Sequence, residues 1–502
     1  MLIRLFTFTG LTNCHSQDDS LYVNAIISII ENTFTFPKNL INEKYANPVW
    51  VPTTRIGMLY PTAFFTMLLG TKSYVFPLFS LLSFFGMLTA IYVFSLKLWS
   101  KTIGEIACVL VSIYPLNVIY STRIMPDVPM TFFSVLGIFI FLYAPKSKRK
   151  KLCLFLSGAM IGIGYLIKPL GVIALLPLIA SSIIQKRKRE ILPITLGFTL
   201  IFLLELLYFF YFTGEMFYKF ELLSKIYKQK FEIEYGLHEP SGIFYMFNFY
   251  FPHGYEFFYH LKKLFNVFPF EKTMVFHGYL GIAGIASCAC MLLFKKLRKF
   301  SFIVLWALLI YLYLEFGATY ITVENGKINY FLIFKEADSE KLEQILIIPL
   351  CISTAIVLSH APKNIRIVLL LFLFFTSIFA IWKTHRVFYD GMKDIRTAAE
   401  ILKKLPPKTV YTDYLAIGQL NYYLDYSYPG RFVNFYGKDI KELRDGYIIV
   451  GGARGCDIVG DVIYSISPKF VFLPPESWKL IAEFQNKKTS YRAVNMRIYE
   501  IR

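Results

Sequence analysis

The stretch that decides the fold runs from Tyr120 to Gly171: YSTRIMPDVPMTFFSVLGIFIFLYAPKSKRKKLCLFLSGAMIGIGYLIKPLG. Two apolar runs, roughly Val128–Ala144 and Leu152–Ile167, flank the basic cluster Lys146-Ser147-Lys148-Arg149-Lys150-Lys151. Each run approaches the ~20 apolar residues that a helix needs to cross a hydrocarbon core about 30 Å thick. A positive cluster between two spans stays on the cytoplasmic side. The polar turns at the far ends, Ser121–Asp127 and Lys168-Pro169, then face the exterior.

The same alternation extends in both directions. Further apolar runs cover roughly Tyr74–Leu96, Ile103–Tyr120, Leu170–Ile184, Ile191–Phe212, Phe276–Phe294, Phe302–Gly317, Ile345–Ser359 and Ile365–Trp382. The opening MLIRLFTFTGLTN reads as an abbreviated first span. Of 502 residues, 56% are hydrophobic and 18% aromatic, against about 45–50% apolar in soluble domains. The mean hydropathy is +0.50. An all-α polytopic membrane helical bundle of about eleven spans is expected. A transmembrane barrel, with segments of about ten alternating residues, is not.

The net charge of +19 sits largely in inter-span clusters. Besides the one quoted, they are Lys186-Arg187-Lys188-Arg189, Lys295-Lys296-Leu297-Arg298-Lys299, and Lys363 with Arg366. Their alternate positions share one side, which is a topology signal that also favours anionic headgroups. No basic stripe lies on a soluble module, so nucleic acid is not an expected partner. Most of the seven cysteines fall within apolar runs and form no disulfide framework. His253 and His260 share a helical face in the segment 213–275, which also holds His238, but they are too few for a zinc site.

The parity divides the chain into a transmembrane domain, 1–383, and an extracytoplasmic α/β domain, 384–502. Exterior segments of the first are 12–73, 121–127, 213–275 and 318–344. Within 12–73, RIGMLYPTAFFTMLLG (Arg55–Gly70) reads as an interfacial helix interrupted by Pro61. In the second domain MKDIRTAAEILKKLPP and PESWKLIAEFQNK read as helices. KTVYTDYLA, RFVNFY, GYIIVGG, PKFVFLP and YRAVNMRIYEI read as strands. GGARGCDIVG (Gly451–Gly460) lacks the spacing of a nucleotide loop and reads as a turn.

The chemistry-bearing residues fall on the exterior side. SQDDSLYVNAI places Asp18 and Asp19 just after the first span; the next exterior turn carries Arg123 and Asp127. Two acidic clusters facing one cavity can bind a cation, position a hydroxyl or take its proton, and a nearby arginine can hold a phosphate by paired hydrogen bonds. Lys168 sits alone in an apolar setting and must find an anion or snorkel. Each has a plainer reading: the aspartates as helix caps, Lys168 as a snorkelling residue, Arg55 as an interfacial anchor.

In order along the chain, these motifs resemble those of the C-type, multi-spanning glycosyltransferases that use a polyprenyl-phosphate sugar donor. That superfamily includes the protein O-mannosyltransferases and the lipid A aminoarabinose transferase. The matching residues are Asp18-Asp19 with Tyr22 three beyond, Arg55 to Pro61 in RIGMLYP, Arg123 with Pro126-Asp127, and Lys168 in GIGYLIKPLG. The resemblance covers roughly residues 15–180. EADSEKLEQILIIPL departs from it, being acidic where the family carries an arginine and a tyrosine.

The resemblance implies that Asp18 is the catalytic base on the acceptor hydroxyl, with Asp19 supporting it or holding the acceptor. Tyr22, Arg55, Arg123 and Lys168 would bind substrate, the three cations as candidates to neutralise the leaving phosphate. Asp127 would orient Arg123 or, with Asp18 and Asp19, share a divalent cation, since members of the superfamily differ in metal use. The implied partners are a polyprenyl-phosphate-sugar donor, a protein, lipid or glycan acceptor, and the bilayer. The implied place is the cell membrane, with an exterior site and inversion at the sugar. The rival reading is a polytopic transporter or lipid flippase, which would favour broken helices at the midplane and inverted repeats.

Overall fold

The computed structural model describes residues 17–31, 54–223, 278–316, 320–324, 327–331, 344–391, 393–412, 414–425, 427–434, 443–450, 475–484 and 496–501. His238, His253, His260, Cys14, Cys456, the opening MLIRLFTFTGLTN, the Gly451–Gly460 turn and the PKFVFLP strand lie outside them.

Helices follow the apolar runs. Two precede the first full run: α1 (Gln17–Glu31) and α2 (Ile56–Leu69). Then come α3 (Leu78–Leu98), α4 (Lys101–Ser112), α5 (Pro115–Ser121), α6 (Asp127–Tyr143), α7 (Lys150–Ile167), α8 (Leu175–Ile184) and α9 (Ile191–Thr213). After residue 277 come α10 (Gly278–Leu293), α11 (Ser301–Phe316), α12 (Gln344–His360) and α13 (Lys363–Gly391). Among the described residues five helices are long and apolar enough to cross a membrane, or up to seven if each of two bent pairs is one span; Ile56–Leu69, Pro169–Ile184 and Gln344–His360 are apolar but shorter.

The run Ile103–Tyr120 is not the straight span expected. It breaks by 66° between α4 and α5. Pro115 opens α5 and Tyr114 before it is extended, because proline lacks an N–H and disfavours helix in its predecessor. The run Leu170–Ile184 likewise begins as a 3-10 turn, Pro169–Ala174, before α8.

The centre of the bundle is α7, packed between α6 and α9. Ser157 Oγ donates to the Gly137 carbonyl at 2.7 Å. A Cβ on Gly158 would lie 1.9 Å from the Ile194 carbonyl oxygen, and one on Gly197 2.0 Å from that of Phe155. Small residues let membrane helices approach backbone to backbone where no hydrophobic force drives them together. The outer face of α9 exposes Leu192, Leu196, Leu200, Leu203 and Leu207, the surface a lipid-facing helix presents.

A hairpin of β1 (Tyr320–Glu324) and β2 (Lys327–Phe331) follows α11. The C-terminal region contains α14 (Lys393–Leu402), β3 (Thr409–Thr412), α15 (Tyr414–Tyr423), β4 (Phe432–Asn434), β5 (Gly446–Val450), β6 (Lys479–Phe484) and β7 (Met496–Ile501). Their sheet has the order β4-β3-β5-β7-β6, with β4, β3 and β5 parallel and β7 antiparallel to β5 and β6. The amphipathic face of α14 (Ile395, Ala398, Ala399, Leu402) closes one side of it, together with Leu420 of α15.

Two expectations fail in this domain. PESWKLIAEFQNK, expected as a helix, is a turn and then β6. Its register against β7 supplies backbone partners that override a helical prior. The strand expected over KTVYTDYLA stops at Thr412, and its last residues open α15.

Helix α15 joins the C-terminal region to the bundle. Tyr422 Oη donates to the Ser73 carbonyl at 3.3 Å, Ser73 N–H donates to Asp425 Oδ1 at 3.1 Å, and the Tyr422 ring lies 6.4 Å from that of Phe76. Tyr422 is buried in the same core as Tyr22 and Val23 of α1.

Candidate active site

Helix α1 starts at Gln17, so Asp18 and Asp19 occupy its first turn, where carboxylates are favoured by the positive end of the helix dipole. Asp19 is buried and faces Arg123. Arg123 Nη2 donates to Asp19 Oδ2 at 2.5 Å and Nε to Oδ1 at 3.3 Å, with both side chains 1% exposed. This forked geometry matches a guanidinium to both carboxylate oxygens. The guanidinium also lies 5.1 Å from the Tyr120 ring centroid. The turn that presents it is pinned by Ser80 Oγ, which donates to the Met125 carbonyl at 3.0 Å. Asp18 lies one residue earlier, about 100° around the helix axis; its side chain lies outside the described residues.

The second pair joins Asp127, the first residue of α6, to Lys168, the residue that ends α7. Lys168 Nζ donates to Asp127 Oδ1 at 2.6 Å, and the carboxylate is 1% exposed. Glycines make this possible. A Cβ on Gly164 would lie 2.7 Å from Ser134 Oγ, and one on Gly171 2.5 Å from the Gly164 carbonyl carbon. The chain can therefore double back tightly enough for Lys168 to reach α6. In the structure Lys168 bonds Asp127 and Arg123 bonds Asp19.

Arg55 caps the N-terminal side of α2 and lies over the Tyr22 ring, 5.4 Å from its centroid. Its Nε is buried without a hydrogen-bond partner, as is Tyr22 Oη. Among the described residues no carboxylate pairs with it. Asp19 and Asp127 thus each face a protein cation. Among the described residues no group of three His, Cys, Asp or Glu could hold a metal ion. Two carboxylates already engaged by Arg123 and Lys168 are a poor donor set for a divalent cation.

Sequence reading missed a third pair. Lys219 Nζ donates to Glu205 Oε1 at 2.6 Å, with side chains 2% and 1% exposed. The ammonium sits 4.1 Å from the Tyr165 ring centroid. The signal was present: Glu205 is the single charged residue within the 23-residue apolar helix α9, and an ionisable group there is a site by default.

Comparison with known proteins agrees with this architecture. Residues 55–212, which include Arg55, Arg123, Asp127 and Lys168, match the family described as dolichyl-phosphate-mannose-protein mannosyltransferase. The resemblance to the C-type glycosyltransferases is therefore shown for this stretch. Among solved structures, ArnT from Cupriavidus metallidurans bound to undecaprenyl phosphate is 10% identical, with TM-score 0.57, covering 99% of this chain and 96% of that one. The same protein in the apo state is 12% identical with TM-score 0.54 over the same shares. The Archaeoglobus fulgidus oligosaccharyltransferase in complex with Zn and sulfate is 12% identical with TM-score 0.50, covering 90% of this chain and 67% of that one. The chain shares the fold of the first protein over nearly its whole length. A sequence search of curated proteins found no match.

Proposed function

We propose that this chain is a multi-pass membrane glycosyltransferase that moves a sugar from a polyprenyl-phosphate donor to an acceptor hydroxyl on the exterior face, with inversion. The observation that supports the reading is the set of buried charges at one end of the bundle: Asp19 on Arg123, Asp127 on Lys168, and Arg55 over Tyr22, paired with no carboxylate among the described residues. A site for a dianionic leaving group needs an available cation, and a site for a hydroxyl nucleophile needs an available base.

Asp18 is the base. It takes the acceptor proton as the acceptor oxygen forms a bond to the anomeric carbon from the face opposite the lipid. The bond from that carbon to the phosphate oxygen breaks, and its electron pair leaves with the lipid phosphate. Arg55 neutralises the phosphate. Arg123 pairs with Asp19 and fixes the first turn of α1, so Asp18 is held where the acceptor arrives; Tyr22 supports Arg55 from beneath. Lys168 and Asp127 fix the second exterior turn against α7.

In this reading residues 1–383 form the transmembrane domain, with about eleven spans including the abbreviated first, and residues 384–502 form the extracytoplasmic domain. The Ser73–Asp425 and Tyr422–Ser73 contacts support a common side for the first exterior segment and the C-terminal domain. The acceptor is a protein, lipid or glycan.

The test is incubation of the purified protein in detergent with a panel of polyprenyl-phosphate sugars, with released lipid phosphate read by mass. Release that depends on both sugar and Asp18 supports the reading. Flux of an intact lipid-linked sugar across vesicles without a covalent product would replace it with a transporter.

A further inference from the structure

Helix α1 carries Asp18 and Asp19 in its first turn and is buried on more than one flank. Tyr22, Val23, Ala25, Ile26 and Ile29 are all out of solvent. Val23 and Ala25 stand two residues apart, about 160° around the helix axis, so one neighbouring helix does not cover both. Among the described residues α1 packs chiefly against two helices, α2 and α15. The first belongs to the bundle, and the second comes from the C-terminal region.

The two walls of this cradle are joined to each other. Ser73 lies in the turn that follows α2. Its carbonyl accepts from Tyr422 Oη at 3.3 Å, and its N–H donates to Asp425 Oδ1 at 3.1 Å. Phe76, fully buried, meets the Tyr422 ring at 6.4 Å between centroids. Tyr422 is itself buried, and Asp425, just past α15, adopts φ 50° where it makes its contact. These contacts fix the C-terminal end of α15, and with it the surface that α15 presents to α1. The Asp19–Arg123 bond fixes one point of α1. The direction of its axis is left to the two walls.

A general base must stand within hydrogen-bond reach of the proton it takes. A displacement of about 1 Å, even from a change far from the chemistry, costs about 10²-fold in rate. A wall on the helix that carries the base therefore acts on turnover without touching substrate.

We infer that α15 is a positioning element of α1, with Tyr422 as its anchor: the C-terminal region holds α1, and so Asp18, in place against the Arg123 turn. The inference rests on the reading of Asp18 as the base.

The experiment uses the full-length protein in detergent and three measurements. They are amide hydrogen exchange read by mass, the Kd for undecaprenyl phosphate, and the rate of undecaprenyl phosphate release from its sugar-linked forms at saturating donor. Y422L removes both ring and hydroxyl. Exchange over residues 17–31 quickens about ten-fold or more, while exchange over α6 and α7 matches the parent. Release slows about ten- to hundred-fold, and Kd stays within about two-fold of the parent. Y422F keeps the ring and loses only the bond to Ser73, so both effects shrink to about two- to ten-fold. Parent-like exchange over residues 17–31 in Y422L overturns the inference. So does quickened exchange across α6 and α7 with donor binding lost as well, since that is a loss of general stability. If Y422L does not fold, Y422F decides by the same criteria. D18N separates the two levels. Parent-like release in D18N removes Asp18 as the base, whereas lost release in D18N with parent-like release in Y422L removes only the role of α15.

Discussion

Asp19 and Arg123 stand 104 residues apart in the chain and 2.5 Å apart in the fold, both out of solvent. Their contact ties α1 to the turn before α6, and so brings the first acidic doublet to that turn. Arg123→Ala removes the guanidinium that faces a buried carboxylate, and a loss of about 3–5 kcal/mol is expected. In D19A/R123A both charges are gone, so the loss is smaller than the sum of the single variants. Thermal unfolding of the four proteins in one detergent measures that coupling.

Asp18 carries the proton in the proposed reaction. Asp18→Asn is expected to lower sugar transfer about 10²–10⁴-fold, the range of general-base catalysis. Donor binding and the unfolding midpoint stay unchanged, because the substitution preserves volume and removes only the charge. Undiminished turnover would move the base elsewhere.

The backbone contacts of α7 with α9 leave no room for a side chain at Gly158 or Gly197. Gly158→Val and Gly197→Val force two central helices apart. Each is expected to lose folded, monodisperse protein on size-exclusion chromatography, whereas Leu203→Val on the exposed face of α9 does not.

Asp425 adopts φ 50° and accepts from the Ser73 N–H. Asparagine tolerates left-handed backbone and keeps a side-chain acceptor; alanine keeps neither advantage. Asp425→Asn is therefore expected to resist limited proteolysis like the parent, and Asp425→Ala to release the C-terminal domain more readily.

Lys408 of the C-terminal domain bonds Asp445 at 2.9 Å and Glu500 at 3.1 Å. Its hydrogen bonds to these carboxylates hold the ammonium above the ordinary lysine value of 10.5. The folded state thus binds this proton more tightly than the unfolded state. The contribution is fully present below 10.5 and is lost as pH rises through the higher folded value. The difference in Tm between the parent and K408M should be flat from about pH 7 to 9 and should narrow only in stronger alkali.

Helix boundaries were legible because hydrocarbon demands apolar side chains and internally satisfied backbone whatever the tertiary contacts. The runs Val128–Ala144, Leu152–Ile167 and Ile191–Phe212 became α6, α7 and α9 with ends shifted by no more than two residues. The amphipathic period of Ile395, Ala398, Ala399 and Leu402 was equally direct. Lys479–Phe484 was not, since its strand exists through pairing with Met496–Ile501, and such partners leave little trace in six residues.

The sequence by itself determined that this chain is a bundle of apolar helices of the membrane kind. Composition and charge parity are local properties, and the bilayer reads them locally. Only the tertiary structure decided who pairs with whom: Arg123 with Asp19, Lys168 with Asp127, Lys219 with Glu205. Partner choice depends on ångström distances between helices, and those are fixed by glycine contacts and chain reversals that no linear pattern encodes.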